Sequence, residues 1–161
     1  MQMRHVLSIL VANNAGVLGR ISGLFSRRGY NIDSLSVGTT EDARYSRITI
    51  SLRGDERVVE QIQKQVAKLV DVLEITELLP EAAIFRELCF IKVEATAKER
   101  SDLFNIASVF RANIIDVTPA TITVEMTGDY DKIDALIELT KPYGILEIVR
   151  TGLTGIARGK G

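Results

Sequence analysis

A Gly-Asp pair occurs twice in the chain, at Gly54-Asp55 and Gly128-Asp129. Each pair marks a change of hydrophobic period from 2 to 3.6, the change that separates a strand from a helix. Before the first pair, Ile48, Ile50 and Leu52 alternate with Arg47, Thr49, Ser51 and Arg53. After it, Val58, Val59, Ile62, Val66 and Leu69 or Val70 form a helical stripe, with Asp55 placed as N-cap. Before the second pair, Ile122, Val124 and Met126 alternate with Thr121, Thr123 and Glu125; after it, Ile133, Leu136 and Ile137 make the buried face. Upstream of each pair the pattern is strand, helix, strand. In the first case these are Val6 to Ala12, Ala15 to Arg28 closed by Gly29, and Asn31 to Thr39; in the second, Ile84 to Ala95, Lys98 to Arg111 and Asn113 to Thr118. Downstream lie further strands, Asp71 to Leu79 before Pro80, and Tyr143 to Val149 after Pro142.

The order is therefore βαββαβ, twice. The expected class is α+β, two consecutive ferredoxin-like units over 1–79 and 84–161, each with both helices on one face of an antiparallel sheet. In the strand Arg44 to Arg53 one face meets the core, and the other is expected to be wet or to meet a partner. Gly19 and Gly23 are expected to let their helix lie close on the sheet. The tail Thr151 to Gly161, with four glycines beside Arg158 and Lys160, reads as loose in the first place and as a partner contact in the second.

Composition removes several kinds of chemistry. Lys plus Arg is 20 against 21 for Asp plus Glu, so a net charge of -1 gives no general pull toward nucleic acid or an anionic membrane. No apolar run approaches the roughly 20 residues of a membrane helix. The start, Met1-Gln2-Met3-Arg4-His5-Val6, lacks the layout of a signal peptide, and the single Cys89 cannot form an internal disulfide; a cytoplasmic setting is the default expectation. One histidine and one cysteine cannot build a His/Cys metal cluster. His5 reads as a strand-edge polar residue rather than a base. Neither a phosphate loop nor a dinucleotide-binding glycine motif is present.

The stretch that invites a ligand is Asn13-Asn14-Ala15-Gly16-Val17-Leu18, where the first strand stops and a helix begins. Asn13 or Asn14 is placed as N-cap, and Gly16 leaves the backbone uncovered. Unpaired N–H groups and the positive end of the helix dipole suit a small anion such as a carboxylate. A cap alone is the plainer reading of the same residues. Of the other functions hosted by this fold, RNA binding of the RRM type needs aromatics on the first and third strands. Here the only one near is Tyr45, at an edge. A small acylphosphatase-type enzyme would need a phosphate loop.

The first half resembles the ACT domain of the acetolactate synthase (acetohydroxyacid synthase) small-subunit family. The resemblance rests on Asn13 to Arg20, Leu24 to Leu35 with its Arg28-Gly29-Tyr30-Asn31-Ile32 run, Ser46 to Ile50, and Gln65 to Val72; Phe110 to Pro119 extends it to the second unit. It implies a non-catalytic regulatory subunit. Such a subunit activates a separate thiamine-diphosphate enzyme and transmits feedback inhibition by valine, sometimes by leucine or isoleucine. It further implies a homodimer through the ACT domains with the effector between two copies. Asn13, Ala15, Gly16, Val17 and Leu18 would come from one copy, and Asn31 and Ile32 from its neighbour. The resemblance implies no cofactor in this chain, the catalytic large subunit holding thiamine diphosphate, Mg and FAD. Arg20, Arg27, Arg47 and the far end of the chain are candidates for touching that subunit. An ACT-type sensor for another amino acid, acting on another enzyme, fits the residues as well. The second unit lacks the Asn-x-x-Gly pattern at Ala95-Thr96-Ala97-Lys98.

Overall fold

The computed structural model describes residues 3–160. They form two compact units, one from the chain up to Phe85 together with the stretch from Gly152 onward, the other Arg86–Thr151. In the first unit β1 (Met3–Ala12), α1 (Val17–Arg27), β2 (Ile32–Thr39), β3 (Tyr45–Gly54), α2 (Glu56–Ala67) and β4 (Val72–Leu78) follow the expected order. The antiparallel sheet runs β2-β3-β1-β4. Leu7, Ile9 and Val11 of β1 and Ile48, Ile50 and Leu52 of β3 are fully buried against Val17, Ile21 and Phe25 of α1 and Val59, Ile62 and Val66 of α2. Burial of side chains of this size, roughly 1.5–3 kcal/mol each, is what holds two short helices on a sheet.

The helix ends show how local chemistry sets the boundaries. Asp55 caps α2 by accepting from Val58 N at 2.9 Å. Gly29, at φ +72°, turns the chain out of α1, and Tyr30 N returns to Phe25 O at 2.9 Å. That left-handed position favours glycine. At the other end of α1 the expectation fails. The N-cap is Gly16, at φ +85°, with no side-chain cap bond, rather than Asn13 or Asn14. Gly19 also differs from expectation, since nothing lies within 4 Å of where its Cβ would be; Gly23 faces only Arg27 Nη1, at 3.5 Å. Both glycines lie off the buried face of α1, which Val17, Ile21 and Phe25 occupy.

The second unit repeats the plan with β5 (Ala83–Glu94), whose first three residues belong to the first unit, α3 (Arg100–Val109), β6 (Asn113–Val117), β7 (Thr121–Gly128), α4 (Tyr130–Thr140), a 3-10 turn at Lys141–Tyr143, and β8 (Ile145–Arg150). Its sheet runs β6-β7-β5-β8. Asp129 caps α4 through Lys132 N at 2.9 Å, as Asp55 caps α2. The repeat extends to single hydrogen bonds at the ends of the central strands. Ala12 N donates to Asp71 O and Asn13 N to Arg44 O at 2.8 and 2.7 Å; Glu94 N donates to Gly144 O and Ala95 N to Ala120 O at 2.9 and 2.8 Å. Glu87, 3% exposed, is held by Arg150 through bonds of 2.5 and 3.1 Å, and Arg150 also reaches Asp134 at 2.9 Å and lies over the Tyr130 ring.

The tail corrects two expectations. Instead of lying loose, Thr154–Ala157 forms β9, which pairs with β5, and Arg158 N donates to Ala82 O at 2.9 Å. The stretch from Gly152 packs across the face of the first sheet away from the helices, against β1, β3 and β4. Leu153 is buried there, and Ser36 Oγ reaches its carbonyl at 3.5 Å. The outer face is therefore not wet at its centre. Ser8, Thr49 and Ser51, polar and outward, are 6%, 1% and 2% exposed. Four glycines suggested looseness; two of them, Gly152 and Gly155, instead lie in close contact with the first unit.

Candidate functional site

The stretch Asn13–Leu18 lies at one end of the first sheet, where β1 gives way to α1. Neither asparagine caps the helix: the cap position falls at Gly16, Asn13 is engaged at both ends of its amide, and Asn14 is drawn to Asp71 through its Nδ2. Asn13 Nδ2 donates to Ala43 O in the β2–β3 turn at 3.1 Å, and its Oδ1 accepts from Ser46 Oγ at 3.1 Å. Asn14 Nδ2 donates to Asp71 Oδ1 at 3.3 Å. The helix tip is left bare. Val17 N reaches Asn14 O only at 3.4 Å, Arg20 N closes on Gly16 O at 3.0 Å, and the N–H groups of Leu18 and Gly19 have no acceptor among the described residues. Asn13, Asn14, Ala15, Gly16, Leu18 and Gly19 are exposed, and Val17 is buried in the core beneath them.

Two further residues frame this corner. The Arg20 guanidinium folds back along the tip, with Nη1 3.1 Å from where a Gly16 Cβ would lie, and its Nη2 pairs with Asp71. Arg20, followed by Asn14, holds the Asp71 carboxyl below its ordinary range. A cation and an anion thus stand side by side next to open backbone donors, which is what an α-amino acid needs for its two charges. Neither Arg20 as part of the tip nor Asp71 was legible in the sequence. Their partnership spans 51 positions, and the one local signal was the i, i+4 spacing of Gly16 and Arg20.

Asn31 and Ile32 lie at the opposite end of the same sheet. Ile32 pairs with Leu52 and His5 pairs with the same residue, whereas Ala12 pairs with Tyr45. Seven residues of strand separate His5 from Ala12, about 23 Å at 3.3 Å per residue. One chain therefore brings Asn13, Ala15, Gly16, Val17 and Leu18 together and leaves Asn31 and Ile32 apart from them. Asn31 is exposed, and Ile32 is half-buried against the core beside a bulge between Ile32 and Ser34. β2 is the edge of the sheet, with Val37 47% exposed along it.

The other reactive groups have structural roles. His5 is buried, with Nδ1 2.7 Å from Glu77 Oε2 and Nε2 3.1 Å from Gly54 O. Burial pushes the Cys89 thiol up to about 11, so at neutral pH it stays protonated and unreactive. No group of three His, Cys, Asp or Glu residues fit for a metal occurs among the described residues. No helix among them is long and apolar enough to cross a membrane. In the second unit the corner equivalent to the bare tip is a cleft of about 490 Å³ lined by Glu94 to Ala97, Glu99, Pro119 to Thr121, Tyr143 and Leu146, with no asparagine or glycine.

A βαββαβ sheet with a bare helix tip at the end of its first strand defines an ACT-type module, followed here by a second unit of the same plan. Residues 7–74 match the family described as the AHAS small subunit-like ACT domain, and residues 86–159 match that described as the small subunit of acetolactate synthase. The probable acetolactate synthase small subunit of Methanothermobacter thermautotrophicus is 49% identical over 96% of this chain and 93% of its own. The acetolactate synthase isozyme 3 small subunit of Salmonella typhimurium is 47% identical over 98% and 97%. The crystal structure of the acetolactate synthase small subunit from Thermotoga maritima superposes with a TM-score of 0.90 at 38% identity, covering 99% of both chains. The chain belongs to the acetolactate synthase small-subunit family.

Proposed function

We propose that this chain is the regulatory subunit of an acetolactate synthase, activating the catalytic large subunit and making it sensitive to valine. The observation that carries the reading is the bare tip of α1 in a chain of this family. Open N–H groups of Leu18 and Gly19 and the Arg20 guanidinium suit the effector carboxylate. Asp71 and the side-chain oxygen of an asparagine suit its ammonium, and Leu18, exposed at 41%, offers an apolar wall.

The residues missing from this corner, Asn31 and Ile32, would be supplied by a second copy, which makes the effector site a property of a homodimer. Burying the valine side chain contributes roughly 2 kcal/mol. Binding in the micromolar to millimolar range needs about 4 to 8 kcal/mol in all, so a few polar contacts supply the remainder. Feedback then requires a coupling of about 1–3 kcal/mol between ligand binding and the arrangement that activates the partner. Thiamine diphosphate, Mg and FAD belong to the catalytic subunit in this reading, and this chain performs no turnover in the cytoplasm on its own.

The test is reconstitution with the catalytic subunit of the same organism. Acetolactate formation from pyruvate should rise when this chain is added and fall again with valine. In parallel, a panel of amino acids is scored for thermal stabilisation of the chain alone. Turnover by the chain alone, or stabilisation by an unrelated amino acid with no effect of valine, would overturn the reading.

A further inference from the structure

In the stretch from Gly152 to Ala157, which is built into the first unit, two glycines lie where an added Cβ would press on neighbouring side chains. Gly152 is buried at φ +83°, and a Cβ there would lie 2.7 Å from Ser34 Cβ and 3.5 Å from Leu35 N. A Cβ on Gly155 would lie 2.6 Å from Phe85 Cδ1 and 3.0 Å from Leu78 Cδ1. Leu153 is 5% exposed, and its carbonyl accepts from Ser36 Oγ. Three of these partners, Ser34, Leu35 and Ser36, are consecutive residues of β2. That strand lies at the sheet edge, bonded to β3 alone, and its first turn of pairing is broken by the bulge between Ile32 and Ser34.

An edge strand with a bulged start has few restraints of its own. Here the inner face of β2 rests on the core through Ile32 and Leu35, and Asp33 pairs with Arg53 at 3.3 Å. The outer face is fixed by the strap at the residue directly after the bulge. We infer that the strap of Gly152 and Leu153 is a positioning element for the effector site: it sets the bulged start of β2 and thereby the placement of Asn31 and Ile32. This rests on the reading of those two residues as the half-site presented to a second copy. Gly152 and Leu153 touch no effector; they act through Ser34 and Ser36.

The test uses the full chain with its catalytic subunit. Gly152→Ala places a methyl group against Ser34, and Ser34→Gly in the same chain removes the atom it meets. Leu153→Ala empties the contact without backbone strain and serves if Gly152→Ala does not fold. The first readout is the backbone amide resonances of Asn31 and Ile32 in the free protein, which should move in both single variants. The second is valine binding by calorimetry at 15 °C, expected to weaken at least fivefold, while activation without valine stays within twofold. Ser34→Gly should recover part of the valine affinity in the Gly152→Ala background.

A strap with only a structural role would lower the melting temperature and leave valine affinity and the two resonances unchanged; that outcome overturns the inference. If the unsubstituted protein ignores valine, the functional reading fails instead. The resonances of Asn31 and Ile32 still decide whether the strap positions them.

Discussion

Replacing Gly16 by Asp tests the effector corner, and replacing it by Asn supplies the control. Gly16 sits at φ +85°, where a side chain costs about 1–2 kcal/mol, with Asn and Asp at the lower end because they bond locally to the backbone. For a unit of this size 1 kcal/mol moves the melting temperature by about 4–8 °C, and both variants should show that loss equally. They differ in charge. The new Cβ lies 3.1 Å from Arg20 Nη1, so the Asp carboxylate competes with Asp71 for the guanidinium and stands where an effector carboxylate would bind. Two like charges about 4 Å apart repel by roughly 1–4 kcal/mol at the surface dielectric of a protein. Valine affinity should therefore fall at least fivefold further in Gly16→Asp than in Gly16→Asn, and by several hundredfold at the upper bound. Calorimetry at a temperature where both variants are folded measures the difference. Equal valine affinities for the two variants would refute the placement of the carboxylate at this tip.

Two more predictions concern other parts of the molecule. Arg150→Met strands the carboxylate of Glu87, only 3% exposed, and should lower stability by about 3 kcal/mol in urea unfolding, with Glu87→Gln in the same chain restoring much of it. Asp71 is held below its ordinary range by Arg20 and Asn14, so its contribution is present above the unfolded carboxylate value and fades as pH falls through about 4 toward the lower folded value. The melting temperature of Asp71→Asn should change less over that acid range than that of the unsubstituted protein; parallel curves would show that the pair adds nothing.

The strands and helices were legible because their signals are local. Ile48, Ile50 and Leu52 alternate, Asp55 and Asp129 sit where caps belong, and Gly29 closes α1 as its position suggests. The bare tip was legible as a place but not in its chemistry. Asn13 and Asn14 have the composition of caps, yet distant residues, Ala43, Ser46 and Asp71, claim their side chains, and the left-handed Gly16 takes the cap position instead. The order of the tail is hidden from local sequence for the same reason. Its glycines look like slack in a one-dimensional pattern; Ser34 and Phe85, far away in sequence, come so close to Gly152 and Gly155 that an added Cβ at either would force them to shift. In the amphipathic strand β3, alternation gave the inner face correctly, but the burial of Thr49 and Ser51 depends on a segment made about a hundred residues later.

That late segment has a consequence for biosynthesis. Residues 152–158 leave the ribosome after Arg86–Thr151, so the first unit emerges with Val6, Ser8, Thr49 and Ser51 uncovered and waits for that stretch before its outer face is closed. Nascent chains stalled before Gly152 should be cut by protease within the first unit, and released chains should resist. Translation through the stretch that begins at Gly152, rather than to the end of β4, is when this domain finishes folding.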